Sequence, residues 1–105
     1  MDGYVYLIQD GEKENTYKIG VTKNIVDYRK KELQTGNSSD LIIVNYFATP
    51  YPYKVESMMH RKHKSKNIMN EWFLLSDEDV NSFLNDCKTY ENCILALKDN
   101  PFYNL

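Results

Sequence analysis

The chain has 105 residues, a net charge of −2 at pH 7 and 42% hydrophobic residues, which suits one domain with a modest core and leaves no room for a second. It contains no run of about 18 apolar residues, and its first residues lack the basic and long apolar regions of a signal peptide. We therefore expect an intracellular, cytoplasmic protein without a membrane span. Cys87 and Cys93 are too few for a disulfide framework or a zinc site, so we expect both to be reduced.

The first half of the chain is predicted to form a hairpin, a helix and a third strand. Residues 3–9 ("GYVYLIQ") and 17–22 ("YKIGVT") alternate as strands do, and the segment between them is rich in turn residues. The next segment, "NIVDYRKKELQTG", predicts a helix with Asn24 as its N-cap and Gly36 at its end. Residues 41–49 ("LIIVNYFAT") predict the third strand.

The second half is predicted to be mainly helical. After "PYPY", which we interpret as a helix-breaking link, residues 54–66 predict a second helix, and "EWFLL" is a short apolar piece. Ser76 is the predicted N-cap of a helix over residues 77–90, and residues 91–99 predict a last helical segment before Pro101. This order of elements predicts an α/β or α+β domain around a small, mostly antiparallel sheet.

The basic residues are unevenly distributed. Ten of the thirteen lie within residues 18–31 and 54–68, and each of these segments contains a single acid. The last 35 residues carry seven acids against two lysines. If the two basic segments met on one face, with the acidic segment turned away, they would form a phosphate-binding surface. The same charges also fit the solvated faces of two helices.

The predicted first helix places a charge on its apolar side. At about 100° per residue, Ile25, Val26, Arg29 and Leu33 share one arc, with Arg29 near its middle. One interpretation is that the stem of Arg29 packs while its head reaches water. The other is a guanidinium held at the edge of the core to bind a phosphate with fixed geometry.

The predicted second helix carries three ligand-capable side chains on one flank. Glu56, His60 and His63 follow one another at spacings of four and three residues. A closed zinc site needs about four ligands, and no matched Cys/His set is present. A single carboxylate beside a phosphate suits magnesium better, because Mg²⁺ keeps most of its waters. An ion pair of Glu56 with the surrounding basic residues is the alternative.

Several motifs follow one another in an order that resembles the GIY-YIG nuclease superfamily. They are "YVYLI", "KIG", an arginine in the following helix, "LQTG", "VESMMH" and "NEWF", and they resemble its short branch with KIG, ExxLH and EWF motifs. The resemblance covers residues 3–75 of a single domain spanning 1–105, with 76–105 as a helical extension. It implies a small central three-stranded antiparallel sheet flanked by helices. The implied chemistry is hydrolysis of a phosphodiester with one divalent metal, Mg²⁺ or Mn²⁺.

The resemblance implies a role for each matching residue. Tyr6 would act as general base or orient the attacking water, and Lys18 takes the position of the second signature tyrosine. Arg29 would stabilise charge on the scissile phosphate, and His60 matches the histidine of the ExxLH element. Glu56 would hold the metal. We further hypothesise that Lys18 lowers the pKa of Tyr6 by favouring the phenolate.

The expected nucleic-acid contacts combine the motif residues with the basic segments. Gly20 matches the glycine of the second signature, where a missing side chain would let a phosphate approach. A late asparagine of the family corresponds to Asn67 or Asn70. The predicted contacts are Gly20, Lys23, Lys30, Lys31, Arg61, Lys62, Lys64 and Asn70.

The leading prediction is a small metal-dependent endonuclease that cleaves DNA, with RNA as the other candidate substrate. Its selectivity would come from substrate shape, from a homodimer or from a protein partner. A catalytically inactive nucleic-acid-binding or protein-interaction module of the same fold is the alternative, and a generic globular domain is the third. The many Asn, Lys, Ile and Tyr residues are typical of an AT-rich genome such as that of a phage or virus.

Overall fold

The computed structural model describes residues 2–37 and 39–98, which form an antiparallel sheet with helices on both faces. The strands lie in the order β3-β1-β2-β5-β4. The elements are β1 (Gly3–Asp10), β2 (Thr16–Thr22), α1 (Val26–Thr35), β3 (Leu41–Thr49), α2 (Pro52–Lys62), a 3-10 turn (Lys64–Lys66), β4 (Asn67–Met69), β5 (Trp72–Leu74), α3 (Asp77–Asn81) and α4 (Phe83–Lys98).

The sheet has five strands rather than the three expected, while the α+β class is confirmed. The predicted "EWFLL" piece contains β5, which pairs with Thr16, Tyr17 and Lys18 of β2. The additional strand β4 pairs with β5. All three residues of β4 are exposed, so the sequence of this strand carries no pattern of buried positions that would have revealed it.

Strand β1 is the centre of the fold because both of its faces are covered. Val5 and Leu7 belong to a core cluster with residues of α2 and α4. Tyr6 and Ile8 point to the opposite face and pack with Val26 of α1. The aromatic and branched residues of β1 therefore serve two separate cores, one on each side of the sheet.

A β-bulge interrupts the pairing of β1 with β3. Leu7 pairs with Asn45, but Ile8 pairs with Ile43, so Val44 is an extra residue in β3. A bulge of this kind changes which side chains of the bulged strand share a face, because strict alternation is broken at the inserted residue.

Helix α1 begins one residue later than predicted. Its N-cap is Ile25, which makes no side-chain capping hydrogen bond, so the assignment of Asn24 as N-cap is wrong. The backbone N–H of Asn24 instead donates to Thr22 Oγ1 at 3.1 Å. Val26 is buried, as its place on the apolar side predicts. Ile25 is 66% exposed, so its predicted place on that side is wrong.

The end of α1 is fixed by the glutamine of the "LQTG" motif. Gln34 Nε2 donates to the carbonyl of Ser39 at 2.7 Å, and Gln34 Oε1 accepts from the N–H of Leu41 at 2.8 Å. One side-chain amide thus joins the end of the helix to the first residue of β3. Gly36 is the C-cap, as predicted.

Helix α2 starts and stops earlier than residues 54–66. Pro52 lies in its first turn, where the missing N–H costs nothing, so "PYPY" starts the helix instead of breaking it. The helix ends at Lys62, and His63 precedes the 3-10 turn.

The carboxyl-terminal helices are divided at Ser82, not between residues 90 and 91 as predicted. Ser76 caps α3 as expected and forms a capping box with Asp79. Burial alone would raise the pKa of Asp79, but hydrogen bonds from Lys66 and Ser76 outweigh it and lower that pKa to about 2. The predicted helical residue 99 and Pro101 lie outside the described residues.

The acidic segment does not turn away from the second basic segment. Lys62 Nζ lies 3.1 Å from Asp86 Oδ2, and Lys66 Nζ lies 2.6 Å from Asp79 Oδ2. These ion pairs neutralise part of the predicted phosphate-binding charge. Cys87 and Cys93 are both free. In the described part of the chain, no helix combines the length and apolar character needed to cross a membrane.

Candidate active site

Tyr6 and Gly20 face each other across the β1–β2 pair. Tyr6 is fully buried, and its ring fills the space in front of Gly20. A Cβ added at Gly20 would lie 2.8 Å from Tyr6 Cε1 and still nearer to the hydroxyl. The expectation that Gly20 opens a path for a phosphate is therefore wrong: its missing side chain accommodates the Tyr6 phenol.

The Tyr6 hydroxyl is buried, and none of the described residues makes a well-aligned hydrogen bond to it. Burial raises its pKa, the nearby guanidinium of Arg29 lowers it, and the carboxylates of Glu71 and Glu56 raise it further. The net pKa lies above the ordinary tyrosine value. The hypothesis of a phenol pKa lowered by Lys18 is therefore wrong, and Arg29 is the cation that favours the phenolate.

Arg29 extends from α1 toward the sheet face that carries Tyr6. Its side chain is 35% exposed, and Nη1 lies 3.8 Å from Glu32 Oε1. Among the described residues its buried Nε atom has no hydrogen-bond partner, although the guanidinium lies close enough to the Tyr6 hydroxyl for each group to change the pKa of the other. Proximity to Tyr6 raises the pKa of Arg29, which keeps the guanidinium protonated.

Lys18 is held by two neighbours that the sequence did not assign to the site. Its side chain is 14% exposed, with Nζ 3.3 Å from Glu71 Oε1 and 5.6 Å from the centroid of the Trp72 ring. Both partners come from the "NEWF" motif, Glu71 directly before β5 and Trp72 as its first residue. The pairing of β2 with β5 is what brings this motif beside Lys18.

Glu56 and His60 of α2 lie near the site, and His60 contacts β2 at Ile19, one residue beyond the β2–β5 pairing. Helix α2 packs on the opposite sheet face, but His60 Nε2 donates to the carbonyl of Ile19 at 2.8 Å. Because a carbonyl oxygen only accepts, Nε2 carries the proton and Nδ1 of the neutral ring remains an acceptor. The N–H of Ile19 donates to the carbonyl of Glu71 at 3.1 Å, so Glu71 and His60 both contact the backbone of Ile19.

The buried carboxylate of Glu56 is only partly stabilised by neighbouring positive charges. Burial raises its pKa, Glu71 raises it further, and His60 and Lys18 lower it. Its Oε2 atom is buried and accepts no hydrogen bond from the part of the chain that the structure describes. Among the residues that the structure describes, no group of three or more His, Cys, Asp or Glu side chains surrounds a common point, so Glu56 would need other ligands for a metal.

His63 does not join Glu56 and His60 in one site. It is buried beside Phe73, with ring centroids 6.4 Å apart, and no described residue forms a hydrogen bond with its Nε2. Burial lowers its pKa, and the carboxylate that opposes this most is Asp79 of α3. His63 therefore packs against β5, with Asp79 of α3 as its main acidic influence.

Two of the predicted nucleic-acid contacts lie next to His60. Lys64 and Asn70 line a pocket of about 360 Å³ together with His60, Asn67 and Phe73. The side-chain amide of Asn67 is already used, since it donates to the carbonyls of Asn70 at 2.8 Å and of Trp72 at 3.1 Å. Asn70 is therefore the better candidate for a ligand contact.

The other predicted contacts are distributed more widely. Lys62 is paired with Asp86, and Arg61 lines a groove between α2 and α4, so the structure does not bring these two residues to the site. Lys23 lies 5.9 Å from the ring centroid of Tyr53. Lys30 is half-buried and Lys31 is exposed on α1, the helix that carries Arg29.

Comparison with known proteins identifies a family. The family model of the T5orf172 domain matches residues 3–88, a range that contains the whole cluster described above and extends into α4. This domain is phage-associated and related to nuclease domains. No curated protein and no solved structure matches the chain. Because the match covers most of the sequence, the chain belongs to the T5orf172 domain family.

Proposed function

We propose that this chain is a GIY-YIG-type, metal-dependent endonuclease that hydrolyses phosphodiester bonds in DNA. One observation carries the proposal: Tyr6 Oη, Arg29 Nε and Glu56 Oε2 come from three separate elements, and each is buried without a hydrogen-bond partner among the described residues. Their charges act on one another, since Arg29 and Glu56 both change the pKa of Tyr6. Unpartnered polar groups are costly to bury, and a bound substrate would supply their partners.

Arg29 is the proposed phosphate ligand. A phosphate oxygen would complete the hydrogen bonding of its buried Nε, and the guanidinium would offset charge that develops on the scissile group. Lys18 lies on the same sheet face as Tyr6 and is fixed by Glu71 and Trp72. It would supply a second positive charge at a defined position.

Tyr6 is proposed to orient the attacking water and to accept its proton. Its raised pKa keeps the phenol protonated near pH 7, so the reactive phenolate is a minor form. Arg29 raises the share of that form. His60 would receive or relay a proton through Nδ1, because Nε2 is committed to the carbonyl of Ile19.

Glu56 is the residue that would hold Mg²⁺ or Mn²⁺. Its Oε2 is buried and accepts no hydrogen bond from the described residues, and its pKa is raised. Both features fit a carboxylate that binds a cation. One protein carboxylate is enough for Mg²⁺, which retains several waters and takes further ligands from substrate phosphates. A bound divalent ion would polarise the phosphate and stabilise the leaving oxygen.

The proposed nucleic-acid surface extends from His60 to Lys64 and Asn70 on one side of the cluster. Lys23, Lys30 and Lys31 would contact the phosphate backbone on the other side. These contacts carry little sequence information. Selectivity would come from substrate shape, from a homodimer or from a protein partner, and RNA is the alternative substrate.

A cleavage assay tests the proposal. Labelled single- and double-stranded DNA and RNA are incubated with the protein and Mg²⁺ or Mn²⁺, with EDTA as the metal-free arm. We expect cleavage of DNA that EDTA abolishes. Glu56→Gln and Arg29→Ala should each lower the rate at least about 100-fold, whereas Glu78→Gln, the same change on exposed α3, should not.

Each other outcome has a defined meaning. Cleavage that survives in both variants would point to a contaminating nuclease. Binding of DNA without cleavage in the parent protein would favour the alternative of an inactive binding module of the same fold.

A further inference from the structure

A pocket of about 270 Å³ opens on the α1 face of the sheet, immediately beside the Tyr6–Arg29 cluster. This volume is just under the lower end of ligand pockets, about 300 Å³, and suits a single ring system. The pocket is lined by Tyr4, Ile25, Val26, Asp27, Ile43 and Tyr46. None of these residues has a role in the cleavage step proposed above.

The β-bulge at Val44 builds this pocket. Ile43 and Tyr46 are three residues apart, so an uninterrupted strand would point them to opposite faces. Because Val44 is inserted in the pairing, Ile43 lies opposite Ile8 and Tyr46 lies opposite Tyr6. Both side chains therefore share the sheet face of Tyr6, and bulges of this kind are common next to active sites.

The lining combines aromatic walls with one acceptor. Tyr4 and Tyr46 pack edge to face, with centroids 5.8 Å apart and planes at 80°. Tyr46 is 52% exposed, so a face of its ring is open to a ligand. Asp27 is the only carboxylate of the six lining residues, and a carboxylate accepts hydrogen bonds from the exocyclic amino group of a base.

The pocket lies next to the proposed phosphate site on Arg29. Tyr4 and Tyr6 are two residues apart on one face of β1, about 7 Å along the strand. Val26 and Arg29 are three residues apart on α1 and therefore neighbours on the helix surface. A nucleotide adjacent to a phosphate on Arg29 would place its base at the pocket.

We infer that this pocket binds one unpaired nucleobase next to the phosphate held by Arg29, and that Asp27 favours a base with an amino group. The inference rests on the proposed function for a nucleic-acid ligand with a phosphate on Arg29, but it does not require cleavage. A base inside a duplex is stacked and cannot enter, so the substrate presents a flipped, bulged or single-stranded nucleotide. Aromatic stacking would supply most of the affinity for the base.

A binding experiment without divalent metal tests this pocket separately from cleavage. Fluorescence anisotropy measures the affinity for labelled DNA and RNA hairpins that differ only at one unpaired position: cytosine, thymine or uracil, or an abasic site. We expect the cytosine hairpin to bind about five- to 150-fold more tightly than the abasic one. The Tyr46→Ala variant should lose that difference.

Two further variants complete the design. Tyr53→Ala removes a tyrosine of similar exposure (58%) on α2, and it should retain the difference between the cytosine and abasic hairpins. Asp27→Asn, at an exposed position, should reduce the preference for cytosine over thymine or uracil. This variant also keeps the test valid if Tyr46→Ala fails to fold, which thermal unfolding would reveal.

Equal affinity for the cytosine and abasic hairpins in the parent protein would overturn the inference. A uniform loss of affinity for all hairpins in Tyr46→Ala would do the same, since it would indicate a phosphate contact or a general distortion. Base-dependent binding without cleavage under Mg²⁺ would support the pocket and overturn the nuclease proposal. Cleavage under Mg²⁺ combined with equal binding of all the hairpins would support the nuclease proposal and overturn the pocket.

Discussion

The phenol of Tyr6 occupies the space that any side chain at position 20 would need. The two residues are direct partners across the β1–β2 pair, and the ring lies over the glycine. The glycine of "KIG" and the tyrosine of "YVYLI" therefore form one structural unit. Gly20 determines where the Tyr6 hydroxyl lies, although Gly20 itself would not touch a substrate.

The first prediction concerns Gly20→Ala. The added methyl would overlap the Tyr6 ring and force it out of place, because the ring is buried in the sheet and cannot swing freely. We expect stability to fall by about 1–3 kcal/mol and cleavage to fall about 100-fold or more. Thermal unfolding and initial rates measure the two effects. The control is Gly36→Ala, where a Cβ would meet none of the described residues within 4 Å.

The second prediction concerns His63. Its Nε2 is buried with no hydrogen-bond partner in residues 2–37 and 39–98, and burial lowers the pKa of the ring. A histidine with a lowered folded-state pKa stabilises the protein above its unfolded pKa of about 6.5, and this contribution is lost as the pH falls toward the folded pKa. We expect His63→Phe to raise the free energy of unfolding at both pH values. The gain should be larger at pH 5.5 than at pH 8, with a difference of about 1 kcal/mol between them. Denaturant unfolding at the two pH values measures this, and a gain independent of pH would contradict it.

Much of the fold could be read from the sequence because its longer elements carry periodic patterns. The β1–β2 hairpin, β3 and the helices α1 and α2 were all indicated by alternation or helical spacing. The pairing partners of short strands were not, since β4 and β5 have three residues each. The bulge at Val44 was also hidden, because a single inserted residue leaves a nine-residue apolar strand looking regular.

The candidate site was recovered only in part, for a related reason. Arg29 stood out as a charge on the apolar side of a helix and Glu56 as a carboxylate in a basic segment, whereas Tyr6 was found only through the motif resemblance. Glu71 did not, because its place beside Lys18 depends on the pairing of β2 with β5. The role given to Gly20 failed because the sequence does not reveal which neighbour fills the space of a missing side chain. The motif "NEWF" was the available signal for Glu71.

The third prediction concerns the ion pair of Lys18 and Glu71. Replacing Lys18 by Met leaves the Glu71 carboxylate uncompensated, and Glu71 raises the pKa values of both Tyr6 and Glu56. We expect Lys18→Met to lower kcat/KM by about 10- to 100-fold. The double variant Lys18→Met, Glu71→Gln should recover part of the loss, because the unpaired charge is then removed.

A double-mutant cycle on cleavage rates measures that coupling. If Lys18 instead acts mainly by contacting the phosphate directly, removing the Glu71 charge should not help. The double variant would then be as slow as Lys18→Met, which would contradict the prediction. The stability of all four proteins should be compared in parallel, so that an effect on folding is separated from one on the reaction.

The fourth prediction concerns the pH dependence of cleavage. Burial raises the pKa of Tyr6 above its ordinary value, so the phenolate fraction increases with pH throughout the neutral range. If the phenolate accepts the proton of the attacking water, log(kcat/KM) should rise by about one unit per pH unit between pH 7 and 9. Tyr6→Phe should lower the rate by about 100- to 10,000-fold and remove this slope. A slope that persists in Tyr6→Phe would assign the proton transfer to another group, and His60, with its free Nδ1, would be tested next by His60→Gln.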